Sequence, residues 1–333
     1  MHNVQELDLC LVDAIKSGIP ESMFSSMSLT TLKLEMGFIE IPSHVSFPSL
    51  KTLHLLFVGF KNDDDVKRLI SGCSVLKNLF LEDCQWIYLE NIVISSSTLK
   101  SLTIIDELYF KEDDDTNGCK IKFDATNLTY FEYSGHLSNG ILLNNKPSLV
   151  KACIHIRLPK ERQNEVACRA VNLLKQLSNV VSLRLSSYAL ESLRFADKIP
   201  VFSNLSHLML TEKIGKYTFG ALMGFLYLCP ILQSICFSKG FKQCMYLGET
   251  NPFWLSVPIC ISNCLKTLTF NKLHAYNSEI CFLKCVLKYA HVLEKMDISC
   301  SKNWFPFLKD KSEVRKELET LKKSSTACVI KFS

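Results

Sequence analysis

An apolar pattern, L-x-x-L-x-L, recurs along the chain and constrains its fold more than any other feature of the sequence. Its twelve copies start at residues 4, 29, 50, 76, 99, 128, 149, 180, 205, 232, 265 and 293. Every framework position is apolar and most are leucine, as in the triplet Leu29, Leu32 and Leu34. Repeats at such a period are typical of chains that stack small units, because one unit cannot bury its apolar face alone.

Each copy predicts one short strand followed by a return segment. The x-L-x-L part places apolar residues at alternate positions, which is the pattern of a half-buried strand. About 20 residues then remain to turn, cross the back of the strand and return to the next copy. The sequence therefore predicts an α/β leucine-rich-repeat solenoid, with a curved parallel sheet on its concave face and helices and irregular segments on its convex face.

Several return segments have helical spacing. An acidic run at 63–65 precedes one such segment, and Gly72 supplies a stop signal after it. Residues 161–177 form the longest helical candidate, and another helix is expected to open at Ser278. Residues 312–323 are basic on one side and apolar on the other. We expect this last helix to cap the end of the solenoid, because the terminal core of a repeat array must be covered.

The composition and motifs of the chain argue against catalysis. Glycine accounts for only 12 residues, and neither the dinucleotide nor the phosphate-loop motif occurs. The eight histidines are dispersed, and the sequence has no nucleophile elbow or zinc-hydrolase motif. A net charge of +5 is too small to indicate nucleic-acid binding. We therefore expect a protein that is not an enzyme, with no cofactor and no nucleic-acid partner.

The sequence also indicates a compartment. Residues 1–20 lack the basic and apolar regions of a secretory signal, and the longest apolar run, 221–232, is shorter than the roughly 20 residues of a membrane span. The 15 cysteines are scattered from Cys10 to Cys328, unlike the dense framework of a small disulfide-rich domain. We expect a cytoplasmic or nuclear chain with reduced thiols and no membrane partner.

Two cysteine pairs have the spacing of zinc ligands. Cys260 and Cys264 form one pair, and Cys281 and Cys285 form the other. Cys281 and Cys285 are one turn apart on an apolar helix, however, and Cys264 adjoins a framework leucine. Buried thiols are ordinary small core residues. We favour a core role and no metal, while the sequence leaves open whether the four thiols converge.

Strand alternation predicts which side chains form a binding surface. Framework residues point inward, so the residues between and just after them face the concave surface. Aromatic residues and arginine are typical anchors of protein interfaces. Phe80 and Tyr130 lie two repeats apart, which corresponds to roughly 10 Å between parallel strands. The predicted partner-binding residues are His54, Phe80, Glu82, Tyr130, Glu132, Lys151, His155, Arg184, His207 and Met209. The same face is predicted to carry Glu6, Asp8, Lys33, Glu35, Lys295 and Asp297.

The order of motifs resembles the plant family of F-box/leucine-rich-repeat proteins with a C-terminal FBD domain. The resemblance covers nearly the whole chain, and the motif order is more specific than any one leucine triplet. The segments that carry it are FPSLKTLHL (47–55), LISGCSVL (69–76), STLKSL (97–102), NLTYF (127–131), CLKTL (264–268), KYAHVLEKM (288–296) and SSTACVIKF (324–332).

The resemblance implies a domain organisation and a function. It divides the chain into a leucine-rich-repeat array at 1–250 and an FBD segment at 251–333 that continues and caps the solenoid. It implies non-catalytic protein recognition, as in the substrate-binding part of an F-box subunit of a cullin-type ubiquitin ligase. Family members usually begin with an F-box, which docks on a Skp-type adaptor. This sequence starts inside a repeat at residues 4–9, so we expect no adaptor binding by the chain as given.

Two other functions stay open on the sequence. One is a stand-alone interaction protein with no ligase connection. The other is a small-molecule receptor, since some plant relatives with these repeats hold ligands within the solenoid. A large enclosed pocket favours a receptor, whereas an open concave face favours a protein partner.

Overall fold

The computed structural model describes residues 4–11, 19–86, 89–108, 118–144, 148–157, 163–243, 256–302 and 310–333. The chain divides into two compact units, Met1–Leu177 and Ser178–Ser333. Each unit is built of parallel strands backed by a second layer, so the predicted α/β leucine-rich-repeat fold class is confirmed. No helix among the described residues is both long and apolar enough to cross a membrane.

The first unit contains two layers of strands and two α-helices. Its strands are β1 (Glu6–Cys10), β2 (Thr31–Glu35), β3 (Phe38–Ile39), β4 (Thr52–Leu56), β5 (Gly59–Phe60), β6 (Asn78–Glu82), β7 (Asn91–Ser95), β8 (Ser101–Asp106), β9 (Lys120–Asp124), β10 (Tyr130–Gly135), β11 (Gly140–Asn144) and β12 (Lys151–Ile156). Its helices are α1 (Asp63–Ser71) and α2 (Gln163–Gln176), with a 3-10 helix at Glu21–Ser25.

The main sheet of the first unit has the order β1-β2-β4-β6-β8-β10-β12. All of its strands are parallel, and each repeat pairs in register with the next, as Leu32 does with Leu53 and Leu53 with Leu79. From Leu29 onward every framework side chain of the L-x-x-L-x-L copies in this unit is buried. In the first copy Leu7 and Leu9, on the edge strand β1, are only half-buried. The framework positions read from the sequence therefore form the core.

The second layer of the first unit consists largely of strands, where the sequence analysis expected helices and irregular segments. A three-stranded sheet has the order β11-β9-β7, and β3 pairs with β5. Strict two-residue alternation explains this layer, because β7 buries Ile92 and Ile94 and β9 buries Ile121 and Phe123. Helix α1 packs beside β7. On the opposite edge, the side chain of Gln176 in α2 accepts from Leu143 N and donates to the carbonyl of Ile141 in β11.

The second unit carries helices behind its main sheet. Its strands follow the order β13 (Ser182–Leu185), β14 (His207–Leu210), β15 (Ser234–Phe237), β16 (Thr267–Leu273), β17 (Lys295–Cys300) and β18 (Val329–Phe332). Its helices are α3 (Ser187–Ser192), α4 (Lys216–Leu226), α5 (Ile259–Asn263), α6 (Asn277–Tyr289) and α7 (Lys311–Thr320), with a 3-10 helix at Leu193–Phe195.

Aromatic packing joins the two layers of the second unit. The five rings of this cluster meet mostly at edge-on or tilted angles, with centroids 5.2 to 6.4 Å apart, as is usual for aromatic pairs in protein cores. They come from α4, β15, β16, α6 and the segment after β15. The members are Phe219, Phe237, Phe241, Phe270 and Phe282.

A buried carboxylate fixes the start of α6. Glu279 is fully buried and accepts hydrogen bonds from the backbone N–H groups of Phe241, His274 and Tyr276, at 2.8 to 3.2 Å. Burial raises the pKa of Glu279 to about 7, against the lowering effect of these backbone donors. One side chain thereby connects α6 to the segments after β15 and β16. The sequence analysis expected α6 to open at Ser278, and the helix begins one residue earlier, at Asn277.

The other expected helices also form, with small changes at their ends. Asn62, whose side chain accepts from Asp65 N at 2.9 Å, caps α1, so the acidic run lies inside the first turn. The described helix α2 falls within 161–177, and α7 ends at Thr320. In α7 the side chains of Val314 and Leu318 are buried, and the helix packs against α6. The basic and apolar sides read for 312–323 thus separate as expected.

Gly72 is required by close packing, since its backbone is an ordinary right-handed one with a φ of −69°. A Cβ at this position would lie 2.5 Å from Val45 Cγ1 and 2.6 Å from the carbonyl oxygen of Val45. We predict that Gly72→Ala lowers the free energy of unfolding by about 1–3 kcal/mol through overpacking. Urea unfolding of the purified variant measures this effect.

Gly224, which is exposed within α4, is the matched control because no atom lies within 4 Å of its added Cβ. Gly224→Ala should leave stability unchanged or raise it by up to about 1 kcal/mol, since alanine favours helices. Equal urea midpoints for Gly72→Ala and the wild type would contradict the packing explanation.

Candidate recognition face

The open face of each unit is the side of its main sheet opposite the buried framework. In the first unit its residues fall into three rows that run across the seven strands in register. The first row is Glu6, Thr31, Thr52, Asn78, Ser101, Tyr130 and Lys151. The second is Asp8, Lys33, His54, Phe80, Thr103, Glu132 and Cys153. The third is Cys10, Glu35, Leu56, Glu82, Ile105, Ser134 and His155.

One cluster on this face joins β4 and β6. The His54 imidazole Nε2 lies 3.0 Å from Glu82 Oε2, and both side chains are partly exposed. The same ring lies beside Phe80, with 5.4 Å between ring centroids and a tilt of 48°. His54 thus contacts both residues of β6 that the sequence analysis assigned to the surface. The contacts restrict the rotamers of Phe80 and Glu82, so their positions are set before any partner arrives.

A second cluster joins β10 and β12. The hydroxyl of Tyr130 donates to Glu132 Oε2, one position further along the open face of the same strand. Lys151 Nζ lies 5.7 Å from the centroid of the Tyr130 ring, at the distance of a cation–π contact. The tyrosine is therefore held at both its hydroxyl and its ring.

Small side chains lie between these two clusters, on β8. Thr103 is directly opposite Phe80 on one side and Glu132 on the other. Although it belongs to the open face, Thr103 is only 8% exposed. The sequence analysis did not single out this position, because a threonine on a strand gives no signal of the larger neighbours that cover it.

The open face of the second unit has a different character. Arg184 on β13 is followed in register by Met209 on β14 and Cys236 on β15. Further along the sheet, Asn271 accepts a hydrogen bond from the Ser299 hydroxyl at 3.1 Å, and Lys295 pairs with Asp297. His207 is exposed at the start of β14. Burial raises the pKa of the Cys236 thiol, which makes it a poor nucleophile at neutral pH.

All ten predicted partner-binding residues lie on the open face of their own unit. The structure brings six of them into two contacting groups. His54 contacts Phe80 and Glu82, and Tyr130 contacts Glu132 and Lys151. In the second unit Arg184 and Met209 are register neighbours, and His207 lies on the same strand as Met209. His155 lies at the far end of the third row, on β12. Partner binding by these side chains stays a prediction.

The two open faces differ in charge. In the first unit the three rows contain five carboxylates and two lysines, so this face is acidic although the whole chain carries +5. Its acidic members are Glu6, Asp8, Glu35, Glu82 and Glu132. In the second unit Arg184, Lys295 and Lys331 outnumber Asp297 on the open positions. Charge on a surface steers the encounter with an oppositely charged partner.

The cysteines with zinc-like spacing make separate core contacts. Cys260 Sγ donates to the Leu226 carbonyl and Cys264 Sγ to the Pro230 carbonyl, each at 3.2 Å. Cys281 and Cys285 are buried on α6. Burial raises the pKa of Cys260 to about 12, which disfavours the thiolate that binds zinc. Across the described ranges, no three His, Cys, Asp or Glu side chains are grouped as a metal site.

A small cavity lies inside the first unit, between its two layers of strands. Its lining includes Cys84, Trp86, Asp106 and Tyr133, and its interior has room for about one water molecule. The Tyr133 hydroxyl donates to Asp106 Oδ2 at 3.0 Å and accepts from Leu137 N at 2.6 Å. Burial raises the pKa of both Asp106 and Tyr133. The cavity is thus too small for an organic ligand, and its polar groups join the ends of β8 and β10.

The repeated strand, its buried framework and its open face define a leucine-rich-repeat protein. Two family profiles match the sequence. The profile described as FBD-associated F-box protein At5g56370, LRR repeats, matches residues 1–114. The FBD profile matches residues 254–298.

Relatives from Arabidopsis thaliana extend these matches over most of the chain. F-box/LRR-repeat protein At3g59250 is 31% identical over 324 residues, which cover 89% of this chain and 72% of the relative. Putative F-box protein At1g58310 is 30% identical over 328 residues, covering 88% and 63% respectively. Putative F-box/FBD/LRR-repeat protein At3g59240 is 36% identical over 245 residues, covering 70% and 47%.

The chain belongs to the plant family of F-box/FBD/leucine-rich-repeat proteins. The family resemblance read from the motif order is therefore confirmed. The chain spans less than two thirds of the length of At1g58310 and about half the length of At3g59240.

We predict that the purified protein contains well below one zinc ion per chain and that EDTA leaves its melting temperature unchanged. The reason is that Cys260 and Cys264 donate to separate carbonyls, which thiolate ligands could not do. Elemental analysis and a thermal melt with and without EDTA measure both quantities.

Cys281→Ser serves as the control for this prediction. If the thiol has a purely structural role, the variant should lose some stability, because a hydroxyl is buried in place of a thiol. Its metal content should not change. One zinc per wild-type chain that disappears in Cys281→Ser would contradict the core role.

Proposed function

We propose that this chain is a non-catalytic protein-recognition module, related to the substrate-binding part of an F-box subunit of a cullin-type ubiquitin ligase. The observation that carries the proposal is the open face of the first unit. There, partly exposed aromatic and charged side chains are held in fixed positions by their neighbours. Pre-positioned aromatic and charged groups lower the entropic cost of binding a partner.

The family supports the ligase connection. The names of the relatives identify them as F-box proteins. In this proposal the present chain supplies the recognition surface and an F-box supplies the contact with the adaptor. The matched profiles cover repeats and the FBD segment.

The FBD segment, 251–333, is proposed to continue and cap the repeat array. Support comes from the sheet of the second unit, in which β16 of this segment pairs with β15 of the repeats before it. Strands β17 and β18 extend the same sheet, and α7 covers α6 with its buried Val314 and Leu318. A cap of this kind shields the terminal core from water.

Two alternatives make different predictions. A stand-alone interaction protein would use the same open face without a ligase. A small-molecule receptor needs an enclosed pocket of about 300 Å³ or more. The cavity between the layers of the first unit has room for about one water molecule, so this cavity does not meet that requirement.

The proposal predicts that partners depend on the open face. The test variant combines Phe80→Ala, Tyr130→Ala and Arg184→Ala. Plant cells express the chain or this variant, and bound partners are captured by cross-linking. The variant should lose the partners of the wild type, because aromatic residues and arginine supply most interface energy. Quantitative mass spectrometry of captured proteins measures the loss.

The matched control changes charged groups away from the open faces, with Lys122→Ala at a half-buried position on β9 and Lys175→Ala at an exposed position on α2. These substitutions should leave the captured set unchanged. Partners that survive the first variant and disappear in the second would place recognition on the other layer and refute the proposal.

The ligase connection has its own prediction. Residues 1–333 alone should fail to co-purify with a Skp-type adaptor, and the same chain with a relative's F-box fused before Met1 should co-purify with it. Both proteins are expressed with the adaptor and separated by gel filtration. Adaptor binding by the unfused chain would show that the repeats or the FBD segment contact the adaptor directly, contrary to the proposed division of roles.

A further inference from the structure

Arg184, on the open face of β13, has no partner within the described part of the chain. It forms no hydrogen bond or ion pair there, and its Nε is buried without an acceptor. The other described arginines all have a partner, since four of them pair with a carboxylate and one lies over a tyrosine ring. They are Arg68, Arg157, Arg169, Arg315 and Arg194. Arg184 is therefore a cation whose own unit supplies no counter-charge.

The strands beside Arg184 carry no carboxylate at their open-face positions. On β13 to β16 these positions are Ser182, Arg184, His207, Met209, Ser234, Cys236, Thr267, Thr269 and Asn271. On β17, Asp297 pairs with Lys295, and four strand spacings, roughly 19 Å, separate that strand from β13. Glu212, which follows β14, accepts from Ser187 N at 2.8 Å. The charge of Arg184 is thus left for an anion from outside the unit.

The position of Arg184 prepares it for such an anion. Of its three side-chain nitrogens only Nε is buried, so the two Nη groups reach solvent. Because water is already excluded from one side of the guanidinium, less further desolvation is needed when an anion binds. Burial raises the pKa of the Cys236 thiol, and the charge of Arg184 acts in the opposite direction, so its positive potential extends to β15. A positive potential on a surface attracts an anionic group of a partner.

We propose that Arg184 binds the carboxylate of an aspartate or glutamate side chain in a partner protein. This inference rests on the proposed recognition function and names the ligand of one residue of the open face. A carboxylate can accept from both Nη groups at once, and such paired hydrogen bonds between ions are stronger than those between neutral groups. Met209, the register neighbour of Arg184, is half-buried and offers an adaptable apolar contact to the methylene groups beside the carboxylate.

Thermal stability separates a binding role of Arg184 from a structural one. Arg184→Met keeps the length of the side chain and removes its charge. Because Arg184 has no internal partner, this variant should melt at the temperature of the wild type or above it. Arg68→Met is the matched control, since it deprives the buried Asp65 carboxylate of its ion pair and should lower the melting temperature by several degrees. An equal fall in both variants would show that Arg184 serves the fold and would refute the binding role.

The binding test is a subtractive selection of random dodecapeptides displayed on phage. The phages are first depleted on the immobilised Arg184→Gln variant and then selected on the immobilised 333-residue chain. The retained peptides should be enriched in aspartate and glutamate. Synthetic copies carry an amidated C-terminus, so that side chains supply their only carboxylates. Replacing the acidic residue of a binder by its amide should weaken binding about tenfold or more.

Variants of the chain locate the binding. Arg184→Gln should weaken the acidic peptides about tenfold or more. Arg184→Lys, which keeps the charge but cannot form the paired hydrogen bonds, should weaken them severalfold. Arg194→Gln removes the same charge from an exposed position on the 3-10 helix of the same unit and should change binding less than twofold. Thermal melts confirm that each variant is folded, and Arg184→Lys keeps the test decisive if Arg184→Gln is unstable.

Charge reversal gives a second, independent arm. Arg184→Glu should bind peptides in which arginine replaces the acidic residue better than the wild type does.

Three results would overturn the assignment of Arg184. They are retained peptides without acidic residues, equal effects of Arg184→Gln and Arg194→Gln, and a selection that yields no peptide able to distinguish the wild type from Arg184→Gln. The recognition function survives each of these results if the partners captured from plant cells are still lost when Phe80→Ala and Tyr130→Ala are combined. Partners that are indifferent to every open-face variant refute both proposals.

Discussion

The pleat of a parallel strand is the constraint on which the rest of this structure depends. Side chains alternate between the two faces of each strand, so burying Leu53 and Leu55 places His54 on the open face. Because the strands pair in register, each strand places the same positions on the open face as its neighbour does. His54 is paired with Phe80, and Phe80 with Thr103. One pattern of apolar residues thus determines both the core and the composition of the surface opposite it.

The return segments are less constrained, and the two units use this freedom differently. In the first unit β7, β9 and β11 form a sheet whose edges are closed by α1 and by Gln176 of α2, which bonds the β11 backbone. An uncovered sheet edge exposes unpaired backbone groups. In the second unit α4 and α6 supply a phenylalanine cluster, and helices satisfy their own backbone groups. Both solutions cover the buried side of the main sheet.

The sequence predicted the main sheet well because its signal is local and repeated. It also predicted that Phe80 and Tyr130 would be two strands apart, which follows from repeat order alone and is confirmed by the strand order β6-β8-β10. The strands of the second layer were missed, although the alternation N-I-V-I-S at 91–95 was readable. The leucine period marks only the copies themselves, so the segments between copies were predicted to be helices or irregular segments.

Features that depend on contacts between distant residues could not be read in the same way. The burial of Thr103 requires large neighbours 23 and 29 residues away in the sequence, and the role of Glu279 requires backbone donors from two other segments. The pairing of His54 with Glu82 is a similar case, since the sequence predicts both residues on the surface but gives no signal that they contact each other. Register supplies position, while contact depends on rotamers that only the packed structure fixes.

The separation between core and open face has a consequence for sequence variation in this family. Residues such as Glu132 contribute side chains to the open face, while the framework side chains on the other face of the same strand, such as Phe131, are buried. Surface changes away from buried or strained positions usually alter stability by less than about 0.5 kcal/mol. The side chains of the open face can therefore change without loss of the fold, whereas a position such as Gly72, packed against Val45, cannot vary freely. Sequence differences among such proteins should accordingly concentrate at the open-face positions of the strands. These residues are aligned in register but do not form the buried core.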